Sequence, residues 1–237
     1  MDKIIGMGNA LVDVLVKIDD DSLLGKLHLP KGSMQLIQEA TLSEIRKYTS
    51  GMKIHRSTGG SAGNTVCALA ALGANPGFIG KVGQDETGAF FGDTLRQCGV
   101  NALLATCDLP SGIASTFIST DGERTFGTYL GAAATLRAED LSRKMFAGYN
   151  YLYIEGYLLQ DHDLMLRAVQ LAKEEGLQVC LDMASYNVVE AERDFFDQLI
   201  VKYVDIVFAN ESEALAYTGK APHEALEELR PNAALPW

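Results

Sequence analysis

The sequence is poor in the residues that build metal centres and disulfide frameworks. It has four cysteines and four histidines in 237 residues. Cys67, Cys98, Cys107 and Cys180 form no C-x-x-C pair, and His28, His55, His162 and His223 show no i, i+4 spacing. This argues against zinc and for reduced thiols in a cytoplasmic protein. Basic residues are in deficit, 20 against 31 acidic ones, for a formal net charge of −11. No Lys/Arg run interrupts that balance. The concentrated positive charge that a phosphate backbone demands is missing, and no nucleic-acid partner is expected. A long apolar run is missing too. The opening MDKIIGMGNALVDVLVKI is broken by Asp13 and Lys17, so neither a secretory leader nor a membrane span is expected. Internal repeats and low-complexity linkers are also lacking.

What is present is a 47% apolar chain long enough for one large domain. From residue 150 onward strands and helices alternate. YLYIEGYLL reads as a buried strand, and DHDLMLRAVQLAKEEG as a helix with an acidic start and a glycine stop. LQVCLDMAS, VVEAERDFFDQLIVKY, VDIVFAN and ESEALAYTG continue the alternation, which predicts crossovers and a mainly parallel sheet flanked by helices. Such a sheet binds ligands beyond the carboxyl ends of its strands. Two earlier segments, 27–38 and 113–135, are β-rich, and Asp121-Gly122 marks a hairpin. They predict a small sheet forming a lid on the α/β body. Leu27, Leu29, Phe117 and Phe126 are expected on its outer face, where a second copy of the chain would pair.

The stretch STGGSAGNTVCALAALG, Ser57–Gly73, sets a flexible polar bend before an apolar helix. Gly59-Gly60-Ser61-Ala62-Gly63 fits the G-x-S-x-G elbow of α/β hydrolases, with Ser61 as nucleophile. The preceding GMKIHRST alternates poorly, unlike the buried strand an elbow requires. A plain glycine-rich helix entry is the other alternative. Gly6-Met7-Gly8-Asn9-Ala10-Leu11 begins like a dinucleotide fingerprint, but Leu11 replaces the third glycine and a strand pattern follows. The reading that remains is a platform: glycines that let backbone approach a polar small molecule, and Asn64 to bond it.

GGSAGNTVCALAALG joined to GFIGKVGQDETG is similar to the first signature of the PfkB (ribokinase-like) family of sugar and nucleoside kinases. GNALVD resembles the substrate strand of its adenosine-kinase-like members, and FANESEA its N-x-x-E motif. The match runs in order over about residues 3–219. The resemblance implies a ribokinase-like fold and ATP-dependent phosphorylation of a sugar or nucleoside hydroxyl. Asp13, Gly59, Gly60 and Asn64 would bind that substrate. Asn210 and Glu213 would order Mg²⁺ and its water around the nucleotide phosphates, although an ordinary helix cap also explains the pair. Asp182, at the end of CLDMAS, is expected to face the same cleft. Arg124 and Tyr129 are candidates for ligand contact from the hairpin. Asn9 stands where many sugar kinases carry an acid, which favours a nucleoside.

The family's second signature, D-T-x-G-A-G-D, carries its catalytic base and anion hole. No such string occurs in these 237 residues. The expectation is therefore a ribokinase-like fold without its C-terminal part and with little phosphoryl transfer of its own. A substrate-binding remnant without catalysis is the alternative.

Overall fold

A computed structural model describes residues 2–229. Its strands are β1 Ile4–Met7, β2 Leu11–Lys17, β3 Met34–Leu36, β4 Ile54–Gly59, β5 Gly77–Gly83, β6 Asn101–Cys107, β7 Gly112–Ile118, β8 Arg124–Tyr129, β9 Tyr151–Glu155, β10 Gln178–Asp182 and β11 Ile206–Phe208. Six of them, in the order β11-β10-β9-β1-β5-β6, form a sheet in which every pairing is parallel. The other five form a second, mixed sheet ordered β3-β8-β7-β2-β4.

Side-chain alternation decides what each face of the parallel sheet carries. Ile5, Met7, Ile79, Leu152, Ile154, Val179 and Leu181 point to one face. There they join the helices His162–Glu174 and Arg193–Lys202 in the largest core cluster. Phe78 and Val82 point to the other face, under Ala62 and Val66 of helix Ser61–Ala71 and Phe91 and Leu95 of helix Glu86–Gln97. A Cβ on Gly6 would sit 2.6 Å from Val66, so only glycine lets that helix settle on β1. The helix starts follow local chemistry. Asp161 caps His162–Glu174 by accepting from the Leu164 N–H at 3.0 Å. The single helix expected over 188–203 is instead two, Tyr186–Ala191 and Arg193–Lys202, which meet at Glu192. No helix among the described residues is long and apolar enough to cross a membrane.

In the second sheet β3 comes from segment 27–38, and β7 and β8 from segment 113–135. The hairpin between them turns at Gly122, φ 85. β2 and β4 belong to this sheet as well, so Asp13 stands in the mixed sheet and not in the parallel one. Three expectations need correction. Leu27, Leu29 and Phe117 do not form an outer face: they are 4%, 5% and 0% exposed. They pack with Val16, Ile18, Leu24 and Ile45, the last two from helices Ser22–Lys26 and Glu39–Tyr48. Alternation marks two faces of a sheet but not which one a helix will cover. Leu27, Leu29 and Phe117 are therefore interior, while Phe126 stands on the opposite face of the sheet, part-exposed beside the exposed Met34. IHRSTG, read as unlike a strand, is β4. It is a sheet edge paired antiparallel with β2 from Leu11↔Gly59 to Val16↔Ile54, and its first residues are exposed. Residues 131–135 form a 3-10 turn, not strand.

The chain passes between the sheets four times, at Ala10–Leu11, Gly59–Gly60, Ser111–Gly112 and Tyr129–Leu130. These crossings lie side by side. Leu11 pairs with both Gly59 and Gly112, and Ile113 with Tyr129. Gly112 is required there, because a Cβ would come within 2.8 Å of the Leu130 oxygen and 3.0 Å of the Ala10 oxygen.

Candidate functional site

A cavity of about 320 Å³ opens at the carboxyl end of the parallel sheet, where the mixed sheet meets it. Asn9, Gly60, Ser61 and Glu155 form its polar floor. Leu11, Met34 and Leu36 come from the mixed sheet, and Tyr157, Asn187 and Val188 from the segments after β9 and β10. The parallel strands deliver these groups because their loops all emerge at one end.

Glu155 organises the floor, and sequence reasoning missed it. It ends β9, is 1% exposed, and receives four hydrogen bonds. The Asn9 N–H and Nδ2 donate to Oε1 at 2.7 and 2.8 Å. The Ser61 Oγ and Ala62 N–H donate to Oε2 at 2.8 and 3.1 Å. Burial raises its carboxyl above the usual range, and these four donors oppose the shift. The glycines permit the approach. A Cβ on Gly8 would lie 2.3 Å from Glu155 Oε2. One on Gly60, whose φ is 79, would lie 2.4 Å from the Asn9 oxygen. The bend that opens the Ser61 helix is thus fastened to the β1–β2 loop through one carboxylate. The Ser61 hydroxyl bonds this acid and not a histidine, which sets the hydrolase alternative aside. Likewise β2, a strand, follows Gly6-Met7-Gly8 where a dinucleotide site needs a helix.

Asp13 is the opposite case. On β2 it shares a face with Leu11, which lines the cavity, while Val12 and Val14 turn to the other side. Gly59 lies against it: a Cβ there would be 2.2 Å from Asp13 Oδ1. Its carboxylate is partly buried, accepts no hydrogen bond from the described residues, and is pushed up to about 6 by burial alone. Asn64, in the first turn of the Ser61 helix, is exposed, and its backbone N–H bonds the Gly60 oxygen at 3.0 Å. Of the four, Gly60 lines the cavity, Asp13 and Gly59 lie against each other on β2 and β4 beside it, and Asn64 is exposed one turn into the helix that follows.

Asn210 and Glu213 lie elsewhere, at the start of helix Glu211–Thr218, and they bond each other. The Asn210 side chain accepts from the Glu213 N–H at 3.0 Å. Glu213 accepts from the Asn210 N–H at 2.9 Å and from its Nδ2 at 2.6 Å. Glu213 is 4% exposed, so both of its oxygens are occupied inside a capping box. Among the described residues no group of three or more His, Cys, Asp or Glu could hold a metal ion. Asp182 does not line this cavity. On β10 it alternates with the core residues Val179 and Leu181, shares the opposite face with Cys180, and accepts a hydrogen bond from Tyr153 at 2.9 Å. Tyr129 is 9% exposed and packs with Leu42 and Ile113, while Arg124 is exposed at the hairpin. Neither lines the cavity.

Residues 36–234 match the family model described as pfkB family carbohydrate kinase. Among curated relatives, guanosine-inosine kinase of Escherichia coli K12 is 27% identical over 234 residues, covering 92% of this chain and 53% of that protein. Aminoimidazole riboside kinase of Salmonella typhimurium is 30% identical over 152 residues, or 61% of this chain and 47% of that one. The chain spans about half the length of the curated relatives it matches. Among solved structures, the adenosine kinase from Sinorhizobium meliloti superposes with a TM-score of 0.84 at 33% identity, covering 96% of this chain and 71% of that chain.

Proposed function

The chain belongs to the pfkB family of carbohydrate kinases, and from that premise we propose that it binds a nucleoside as the acceptor of an ATP-dependent phosphoryl transfer. The observation that carries this is Asp13, a partly buried carboxylate without a partner among the described residues, beside the Gly59–Gly60 bend. Two adjacent ribose hydroxyls supply the donors it lacks. Asn64 offers a donor and an acceptor to the same ring. The other end of the cavity, with Leu11, Met34, Leu36, Leu130 and Val188, suits an apolar base face better than the rim of a simple sugar. The similar proteins named as guanosine-inosine kinase and adenosine kinase support the choice of a nucleoside. The mixed sheet then covers the bound ligand as a lid. A cytoplasmic location fits a user of ATP.

On the nucleotide side, the described residues do not by themselves form a Mg²⁺ site. Asn210 and Glu213 hold the start of their helix there through their capping box, and Glu213 would order a Mg²⁺ ion indirectly, through its water. Phosphoryl transfer rests on positioning and charge stabilisation. These residues contain no D-T-x-G-A-G-D, so they hold the acceptor without completing the transfer. Loss of even one oxyanion donor costs on the order of 10²–10³ in rate.

Titration calorimetry with adenosine, inosine, guanosine, ribose and fructose tests the reading. A nucleoside should bind, with affinity falling about tenfold per pH unit below the Asp13 value of about 6, as the free carboxyl takes up a proton and ceases to accept. Binding of ribose or fructose with no nucleoside binding would overturn the substrate class. Nucleoside-dependent ADP release from residues 1–237, with contaminating kinase excluded, would overturn the division between acceptor binding and transfer.

A further inference from the structure

The helices Ser61–Ala71 and Glu86–Gln97 lie side by side on one face of the parallel sheet. A Cβ on Gly63 would meet the Phe91 ring at 3.7 Å, and the fully buried Val66 and Leu95 share one cluster. One turn past Gly63 stands Cys67, packed against that cluster. Just past Leu95 stands Cys98, which ends the Glu86 helix. The two thiols are neighbours, with Thr58 also beside Cys67. Cys67 is partly buried and Cys98 exposed. Gly99, φ 85, follows Cys98, so that end can adjust to disulfide geometry without unwinding a helix.

We propose that Cys67 and Cys98 form a redox-active dithiol that closes to an intramolecular disulfide, with a low-molecular-weight disulfide of the glutathione class as oxidant. The Cys98 thiolate attacks one sulfur of the oxidant. A Cys98–glutathione bond forms, the old S–S bond breaks, and one glutathione leaves as thiolate. Cys67 then gives its proton to solvent and attacks the Cys98 sulfur, expelling the second glutathione. Two protein thiols are oxidised by two electrons, and one oxidised glutathione is reduced to two thiols. Burial first, and then the neighbouring Cys98 thiol, push the Cys67 thiol of the reduced pair up to about 11, and the burial persists when Cys98 carries glutathione. The second step is therefore slow at neutral pH and quickens about tenfold per pH unit as the thiolate fraction grows. The link ties the helix that carries Asn64 to its neighbour. The remaining thiols are internal controls: Cys107 lies against the Thr135 hydroxyl at 3.5 Å, and Cys180 is 7% exposed.

The test incubates the full chain with oxidised glutathione at pH 7 and pH 9, then maps acid-quenched products by mass under non-reducing conditions. A glutathione adduct on Cys98 should appear at pH 7 and convert to a Cys67–Cys98 link about a hundredfold faster at pH 9. In C67S the adduct should form and persist at both pH values, and in C98S no link should form. Persistence of the wild-type adduct at pH 9 as in C67S, a link through Cys107 or Cys180, or no reaction at any thiol would each overturn the proposal.

Discussion

Glu155 and Asp13 are acids at the two sides of the Gly59–Gly60 bend, and burial raises the carboxyl of both. Glu155 receives four hydrogen bonds, from Asn9, Ser61 and Ala62. Asp13, held beside Gly59, receives none from the described residues. The first is a structural knot that ties two loops to one strand end. The second is polarity without a partner among the described residues, which is what the proposed acceptor site requires. Burial alone does not separate a binding acid from a structural one; what separates them is whether the protein itself supplies the donors.

The comparison breaks most easily at Glu155. Glu155→Ala strips four donors of their acceptor in a closed environment and should cost roughly 3–5 kcal/mol of stability in urea unfolding. An unchanged midpoint would show that the knot is not one. Asp13→Asn should do the reverse. Nucleoside affinity should drop by about 1.5–3 kcal/mol for each charge-assisted bond lost, read by calorimetry. Stability at pH 7 should rise, and the sign follows from the shift. A carboxyl raised from 3.8 to about 6 favours the folded state fully below 3.8 and loses that contribution as pH climbs through 6. Above pH 6 the ionised side chain opposes folding, and asparagine removes that cost. The gain should be about 1–2 kcal/mol after discounting for partial exposure, and should vanish near pH 3.5. Equal binding by wild type and variant would remove Asp13 from the site. The smallest effect sharpens the contrast from outside the cleft: Asn210→Ala should cost about 1 kcal/mol of stability, the worth of a helix cap, and leave nucleoside affinity unchanged. A loss of affinity there would mean that the capping box reaches the acceptor.

Asp13 was legible because a charge between valines on an apolar strand is a local anomaly. The glycine bend was legible because three glycines before an apolar helix need a reason. Glu155 was not. In YLYIEGYLL it reads as the polar end of a strand, and its partners lie 93 to 146 residues away. Nothing within reach of the window marks it. β4 was hidden for a different reason. As an edge strand with its first residues exposed, IHRSTG carries no alternation, and only its pairing with β2 defines it. Leu27, Leu29 and Phe117 were seen as apolar but placed on the wrong side, because the helix that covers them, Glu39–Tyr48, is distant in sequence from Phe117. Periodicity was sufficient for the later part of the α/β body, since β9, β10 and β11 are each followed by helix before the next element of the sheet or the end of the described residues.

The four crossings between the sheets form a single row, with Leu11 paired to Gly59 on one side and Gly112 on the other. Mechanically, such a row has the placement of an axle, and the leverage of any rotation about it would grow with distance from it. Asn9, Leu11, Gly60 and Leu130, which line the cavity, sit on or next to the row, where that leverage is smallest. The hairpin tip at Asp121–Gly122, at the far end of β7 and β8, has the longest arm. Val12 of β2 works against such a turn, because it is packed among Val82 and Phe91 of the body.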